Sequence, residues 1–407
     1  MTLTSVTSAG IAFDPARNPP ADAKLMTNVT DRILADVRAL APEITRRVAE
    51  IEAGRQVPFD LVRKLRSIGI FRSLVPRSHG GLELEMSAAL EIMEAICSIE
   101  GSVGWVSVIA MGCSTFAPRL PREVFERIYR DGPDVIIVGS AQPVGAAEAV
   151  EGGWRVSGRW PFASGCQHAD WMFGLCVMSR DGKPLSEPMG GPPMIRGVML
   201  PAGDWHIEDT WYVAGLRGSG SHHIRLENKV VPEAHFFDLI DGTSCIPGPL
   251  YQAARHFIPL MHCAAALGVC EGTLDELVAL ANTGRQQHRS PVPMRDSELF
   301  QQALGRIEAE FKAARAYTEA QTKSHWRHAL AETLGVDALF TQAAQTATWV
   351  TATCVGVVDE CFRLGGGSAL YESSPLQRRL RDIHALAQHA MVHERNHGNA
   401  GKVLLAG

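Results

Sequence analysis

Two side chains, Ser164 and His389, carry the chemistry for which this sequence can be read. Ser164 lies within residues 154–171, where strand-like runs at 154–156 and 171–177 flank a segment that is polar, small and aromatic at once. A segment of that kind can lay a flat ring against a hydroxyl. His389 lies seven residues beyond Asp382 in a helical pattern, hence on the same face, and Arg378 sits one turn before the aspartate. Two readings are open. Either this is an ion-paired helix with a histidine in its core, or Arg378 and Asp382 pin the helix while His389 projects into a cavity as an acid/base, suited by a pKa near neutrality.

Further motifs bear on ligands. Leu364-Gly365-Gly366-Gly367-Ser368 joins two predicted helices. It is a helix C-cap followed by a loop, or a set of unobstructed backbone N–H groups with a hydroxyl, a surface that can hold a phosphate. Arg285 and Arg289 could serve a phosphate as well, or simply face water. His393-Glu394-Arg395-Asn396-His397 is a formal HExxH, which on one helical face binds zinc with the glutamate as base. Only ten residues follow it and none supplies a third ligand, so a solvated terminal turn is expected and no metal site is assigned. No GxGxxG follows a predicted strand, and no P-loop is present. An oxidoreductase built this way lacks a dinucleotide-binding βαβ unit, and receives its electrons already on a flavin or from its substrate.

The elements that must position these residues fall into three stretches. Residues 1–25, rich in Pro, Ala and Asp without periodicity, are expected to be a mobile arm. From Thr30 apolar residues recur every three or four positions, and helical patterns at 58–68, 87–99, 104–116 and 122–129 complete a helical domain over 26–132. Short β-branched or aromatic runs at 135–140, 154–156, 171–177, 195–200, 205–208 and 224–231 follow, with no helices between them. They predict an antiparallel sheet or barrel over 133–240. Residues 241–407 then carry four long helical segments near 250–284, 296–330, 336–364 and 375–398, whose alanine-rich faces and short connections predict a four-helix bundle.

Length and composition bound the rest. At 407 residues the chain suits two or three domains, and its formal charge of −5 gives no reason to propose nucleic acid or an anionic membrane as partner. Nine scattered cysteines without a CxxC pair indicate neither a disulfide framework nor a zinc knuckle. No basic segment followed by an apolar core opens the chain, and no run approaches the roughly 18 apolar residues of a membrane span. A cytoplasmic enzyme is the expectation.

Residues 154–165 (Trp-Arg-Val-Ser-Gly-Arg-Trp-Pro-Phe-Ala-Ser-Gly), 213–221 (Val-Ala-Gly-Leu-Arg-Gly-Ser-Gly-Ser), 231–233 (Val-Pro-Glu) and 364–382, with its Gly-Gly-Gly-Ser and Arg-Asp elements, together resemble the acyl-CoA dehydrogenase superfamily. More closely they resemble its flavin-dependent monooxygenase branch, the oxygenase components of two-component aromatic hydroxylases. The likeness runs from residue 30 to residue 400 and preserves motif order. It implies an α+β fold, with an N-terminal helical domain, a central antiparallel β-barrel and a C-terminal four-helix bundle, assembled as a homotetramer. It places Ser164 at the flavin N5 region, with Phe162 and Ala163 beside it, and Ser140 near flavin and substrate. Gly366, Gly367 and Ser368 match a flavin-phosphate loop contributed across a subunit interface, and Arg285 joins the cofactor-binding set. His389 matches the catalytic histidine of the branch, and Trp105, Cys113 and Trp160 line the expected substrate pocket.

Two departures narrow the reading. Acyl-CoA dehydrogenases carry a Glu-Gly-Thr segment beyond the Arg-Asp pair, where this chain has Gln388-His389-Ala390-Met391 and no evident base. Many phenol hydroxylases of the branch carry a histidine where this chain has Cys113-Ser114, which leaves room for an indole, a polycyclic phenol or a heteroatom substrate. The leading expectation is therefore an oxygenase component that takes reduced FMN or FAD from a separate NAD(P)H:flavin reductase. It would use O2 through a C4a-hydroperoxide to hydroxylate or epoxidise an aromatic or heteroaromatic small molecule. An FAD-dependent acyl-CoA dehydrogenase and a non-catalytic scaffold of the same fold are the alternatives. Cys166 and His168 stand close to Ser164 and could suggest a nucleophile with its base, but in this reading the cofactor carries the reactive atom.

Overall fold

A computed structural model describes residues 21–187, 191–239, 242–286, 290–335 and 337–406. Residues 1–20 of the expected arm, the 240/241 domain boundary and Arg289 lie outside the described residues. Residues 21–25, read as part of that arm, belong instead to the first helix.

The N-terminal part is helical: α1 (Ala21–Arg46), α2 (Val48–Gly54), α3 (Phe59–Ile68), α4 (Met86–Ile99), α5 (Gly101–Ser114) and α6 (Arg122–Ile128). Its boundaries have local causes. Pro58 precedes α3, and Gly69, at φ 99°, ends it by donating its N–H to the carbonyls of Leu65 and Arg66. Between α4 and α5 a single extended residue, Glu100, turns the chain and caps α5 by accepting the Val103 N–H at 2.7 Å. Helix α5 is apolar almost all round and correspondingly buried on almost every side.

The middle part forms one sheet from β1 (Ile137–Val150), β2 (Gly153–Ala163), β3 (Trp171–Arg180), β4 (Lys183–Pro184), β5 (Ile195–Pro201), β6 (His206–Glu208), β7 (His222–Val231) and β8 (Phe236–Phe237). The expected antiparallel barrel is not what forms. The order is β6-β7-β2-β1-β3-β5-β8 with β4 beside β3, an open sheet with β6 and β8 at its edges, and its central pair β1–β3 is parallel. The cause is the connection after β2. Because β7 occupies the far side of β2, residues 164–170 carry the chain past the start of β1 to its other side. That crossing is fastened where Asp170 accepts the Ile136 N–H through Oδ2 at 2.8 Å and returns its own N–H to the Ile136 carbonyl at 2.9 Å. Ser164 rides on this crossing segment.

The C-terminal part comprises α7 (Pro249–Gln252), α8 (Ala254–Asn282), α9 (Glu298–Leu330), α10 (Asp337–Gly365), α11 (Pro375–Leu386) and α12 (Arg395–Leu405). Helix α8 is long and apolar enough to cross a membrane, with mean hydropathy 1.4, yet 89% of that stretch is buried against α4, α5, α9, α10 and α11. It is a core helix. The long last segment expected at 375–398 is broken: α11 stops at Leu386, a 3-10 turn spans Ala390–Val392, and α12 starts at Arg395.

Helix α11 joins the three parts. Arg379 donates to the Ser98 carbonyl at 2.7 Å, and Arg381 donates to the Ala214 carbonyl at 2.5 Å and to Glu52 at 2.8 Å. Asp382, 2% exposed, accepts the Leu216 N–H at 2.6 Å; that backbone amide, rather than Arg378, is its hydrogen-bond partner. Glu100 is equally buried beside it, and one of its oxygens has no partner among the described residues. Burial and then mutual repulsion hold the Asp382 carboxyl well above the usual range, and burial does the same to Glu100. The pair therefore retains protons that the unfolded chain releases above about pH 4. Stability falls as pH climbs from there through the raised folded values, by up to about 1.4 kcal/mol per pH unit for each retained proton. Glu100→Gln should flatten that slope in urea unfolding between pH 5 and pH 8; an unchanged slope would remove the pair as its source.

Candidate active site

Ser164 stands at the end of β2, 5% exposed, where two partners converge on its hydroxyl. The Trp105 indole, from the first turns of α5, donates to Oγ at 3.0 Å; the Ser221 hydroxyl lies 2.7 Å away, and Ser219 a further 2.7 Å beyond. The two outer serines belong to the 213–221 stretch, whose 3-10 turn at Arg217–Ser219 also accepts the Gly165 N–H through the Ser219 carbonyl at 2.8 Å. Phe162 adopts φ 64°, unusual for an aromatic residue, and its carbonyl accepts the Ser164 N–H at 2.9 Å. This kink leaves the Phe162 ring 56% exposed at the edge of the site.

His389 reaches the same place from the other end of the chain. The expected helical projection is replaced by an extended residue, φ −67° and ψ 136°, beyond the end of α11, so His389 does not share a helical face with Asp382. Its Nδ1 accepts the Met391 N–H at 3.2 Å, a local bond that competes with continued helix. The imidazole lies 5.7 Å from the Trp105 ring, edge to face. Protein surrounds it closely enough for desolvation to lower its pKa, yet the residue is exposed to solvent. A third ring completes the floor: His262 of α8 lies 5.5 Å from Trp105 and 5.2 Å from His389. Sequence reasoning missed His262. In an apolar helix that carries two histidines, His256 and His262, neither gives a signal until the fold sets one of them against Trp105 and His389.

The remaining expected residues divide. Trp160 is not a pocket wall: it is fully buried within the sheet, donates to the Leu175 carbonyl at 2.7 Å and packs edge-on to Trp205 at 5.3 Å. Gly145, Gly158 and Gly174 close around it, and a Cβ at any of them would collide with the indole. The Ala163 side chain is fully buried too, so only its backbone could meet a ligand. Cys113 lies buried two turns beyond Trp105 on α5, its thiol pushed up to about 12 by that burial. Ser140 sits at the irregularity of β1, buried, its Oγ accepting the Gln142 N–H at 3.4 Å.

The phosphate candidates stand elsewhere in the same chain. Gly366, at φ 61°, opens the 3-10 turn Gly366–Leu370; Gly367 has open space about it, and Ser368 donates to the Gly365 carbonyl at 3.1 Å. Gly365 faces Leu280, which places this turn at the end of α8 where Arg285 follows, half-buried and with an Nε that has no partner among the described residues. From His262 to the end of α8 at Asn282 is about 30 Å at 1.5 Å per residue. One chain therefore separates the hydroxyl–imidazole site from the glycine turn by more than a flavin nucleotide comfortably spans. The HExxH residues do not share a helix either, since His393 is extended and precedes α12.

Ser164, Phe162 and His389 fit the edge of a flat heteroaromatic ring: a hydroxyl whose oxygen is held by two partners, an exposed aromatic rim and an exposed imidazole beside Trp105. The exposed glycine turn and the orphaned Arg285 Nε fit a phosphate.

Comparison with known proteins follows the same lines. The family described as "Acyl-CoA dehydrogenase, N-terminal domain" matches residues 29–118, and "Acyl-CoA dehydrogenase, C-terminal domain" matches residues 260–394. An indole-3-acetate monooxygenase of Pseudomonas putida is 30% identical over 387 residues, covering 95% of each chain. The flavin-dependent monooxygenase oxygenase subunit HsaA of Mycobacterium tuberculosis is 27% identical, over 90% of this chain and 94% of its own. Among solved structures, XiaF from a Streptomyces species, in complex with FADH2 and glycerol, superposes with a TM-score of 0.87 at 24% identity, covering 95% of this chain and 98% of its own, and so shares the fold.

Trp160→Ala should cost about 3–5 kcal/mol of stability, as expected for a large void in a closed core. The urea midpoint of the variant measures it, and a loss under about 1 kcal/mol would return Trp160 to the accessible pocket.

Proposed function

Because this chain belongs to the acyl-CoA dehydrogenase superfamily and, within it, to the flavin-dependent monooxygenases, we propose how its residues divide that reaction. The chain is the oxygenase component of a two-component system, an oxidoreductase that uses reduced flavin and O2 and depends on a separate flavin reductase. When bound, the reduced flavin supplies two electrons to O2, so that one oxygen atom enters the substrate and the other leaves as water.

Ser164 holds the reacting edge of the ring. Its hydroxyl is oriented in advance by the Trp105 N–H and by Ser221, so no reorganisation is required as charge develops. His389 supplies a hydrogen-bond donor. Its lowered pKa keeps the imidazole neutral near pH 7, and because Nδ1 accepts the Met391 N–H, the remaining proton sits on Nε2. That observation favours a group that orients substrate by donating a hydrogen bond over one that removes a proton from it. Trp105 forms the wall between the two, suited to a planar aromatic or heteroaromatic substrate such as an indole or a polycyclic phenol. The likeness to an indole-3-acetate monooxygenase supports the same class.

The glycine turn 366–368 and Arg285 serve the phosphate of reduced FMN or FAD held by a neighbouring subunit, which accounts for their distance from Ser164. The same reading takes the enzyme as a homotetramer of cytoplasmic subunits, each with a helical unit over 26–132, a sheet unit over 133–240 and a helical bundle over 241–407. Ser140 and Cys113 take no part in the hydrogen-bond chain of Trp105, Ser164, Ser221 and Ser219.

His389→Ala should slow hydroxylation by about 10²-fold or more in a reductase-coupled assay. Wild-type turnover by that variant would remove His389 from the chemistry. Ser164→Ala should weaken binding of reduced flavin in anaerobic titration more than binding of oxidised flavin; equal losses would detach Ser164 from the reacting edge. With the His389 pKa below the ordinary imidazole value of about 6.5, its limb of the rate profile should fall only on the acid side of that value.

A further inference from the structure

His262 has no part in the division above, yet its surroundings are closely specified. It is 3% exposed, and its Nε2 faces the Leu386 carbonyl at 3.2 Å. A carbonyl only accepts, so that nitrogen carries the proton, and Nδ1 is left to accept from the Thr351 hydroxyl of α10 at 3.5 Å. Complete burial, and next the neighbouring His389, push its pKa down to about 3, which keeps the ring neutral. Leu386 is the last residue of α11, where helical carbonyls lack partners of their own. The same Leu386 oxygen also accepts the backbone N–H of His389 at 3.1 Å. One carbonyl thus receives both the imidazole of His262 and the turn from which His389 departs. The titratable group facing His262 from that turn is His389; α5 and α10 present Trp105 and Thr351.

We propose that His262 is a positioning residue for His389: it shares the Leu386 carbonyl with the His389 N–H, sets its ring against both Trp105 and His389, and so fixes the direction in which His389 stands beside Trp105. This rests on the role given to His389 above. His262 itself touches the reaction only through that neighbour. Its carbonyl bond demands a donor of imidazole length, and its edge contacts demand a flat ring. Removing the donor frees the 386–389 turn to swing, which moves the His389 ring away from the protein groups that desolvate it and misplaces its Nε2 donor.

Three variants of the full chain test this. His262→Phe keeps the ring contacts and loses both hydrogen bonds, His262→Asn keeps an amide too short to reach Leu386, and His262→Gln keeps an amide of sufficient reach. The first readout is the pH dependence of diethyl pyrocarbonate modification at His389, followed by peptide mass spectrometry and requiring no turnover. The second is product formed per NADH consumed with the reductase present. In whichever of the Phe and Asn variants folds, the His389 midpoint should rise by about half a pH unit or more as the ring gains solvent. Coupling should fall roughly tenfold, with the anaerobic Kd for reduced FMN within about twofold of wild type. The Gln variant should retain the wild-type midpoint and most of the coupling. A wild-type midpoint in the Phe or Asn variant, or a Gln variant as impaired as they are, would overturn the proposal. Absence of hydroxylation by the wild-type protein would instead overturn the role of His389 and leave the midpoint comparison standing.

Discussion

Asp382 is a buried acid held by a backbone amide rather than by a cation, and the relative placing of the three parts of this protein depends on it. Its bond to Leu216 ties α11 to the loop that carries Ser219 and Ser221, while the adjoining Arg379 and Arg381 tie the same helix to the α4–α5 corner and to α2. Without that junction α11 has no fixed height relative to the sheet. Leu386 and His389 would then have no fixed distance from Trp105. The cost is a crowded acid pair at neutral pH, so specificity of docking is obtained at some expense of stability.

The site itself is over-determined in a different way. Phe162 occupies a backbone region that disfavours side chains, and such strain persists only where surrounding bonds fix the geometry several times over. Here those bonds are the Ser164 N–H to Phe162, the Gly165 N–H to Ser219, and the chain Trp105–Ser164–Ser221–Ser219. Each hydroxyl in that chain has its partners before any ligand arrives. A pocket of this kind spends little on ordering its polar groups when it binds.

Much of this could be read from the chain alone, and what could not has identifiable causes. Apolar periodicity located α3 to α6 and α8 to α10 because those helices bury whole stripes, and β-branched runs located β3, β5 and β7 for the same reason. The open, partly parallel sheet was hidden because its topology is decided by residues 164–170, which carry no strand signal. His389 was legible as a residue but not in its conformation: the pattern through 375–398 is helical, while the end of α11 at Leu386 meets a side chain, His262, more than a hundred residues earlier. Trp160 and Trp105 look alike in sequence. Only the glycines packed around Trp160 and the serine facing Trp105 tell a core indole from one that lines a site.

The distances along the chain between the parts of the site bear on how it is made. Trp105, Ser164, His262 and His389 span nearly three hundred residues, and Ser164 sits on a crossing that is closed only once β1, β2 and β3 have paired. Contacts of such long sequence separation form late in folding, after loop entropy has been overcome. A nascent or half-folded chain therefore has neither the held hydroxyl nor the imidazole opposite it. In a cell where reduced flavin and oxygen diffuse freely, the chemistry stays confined to molecules whose last helices have docked.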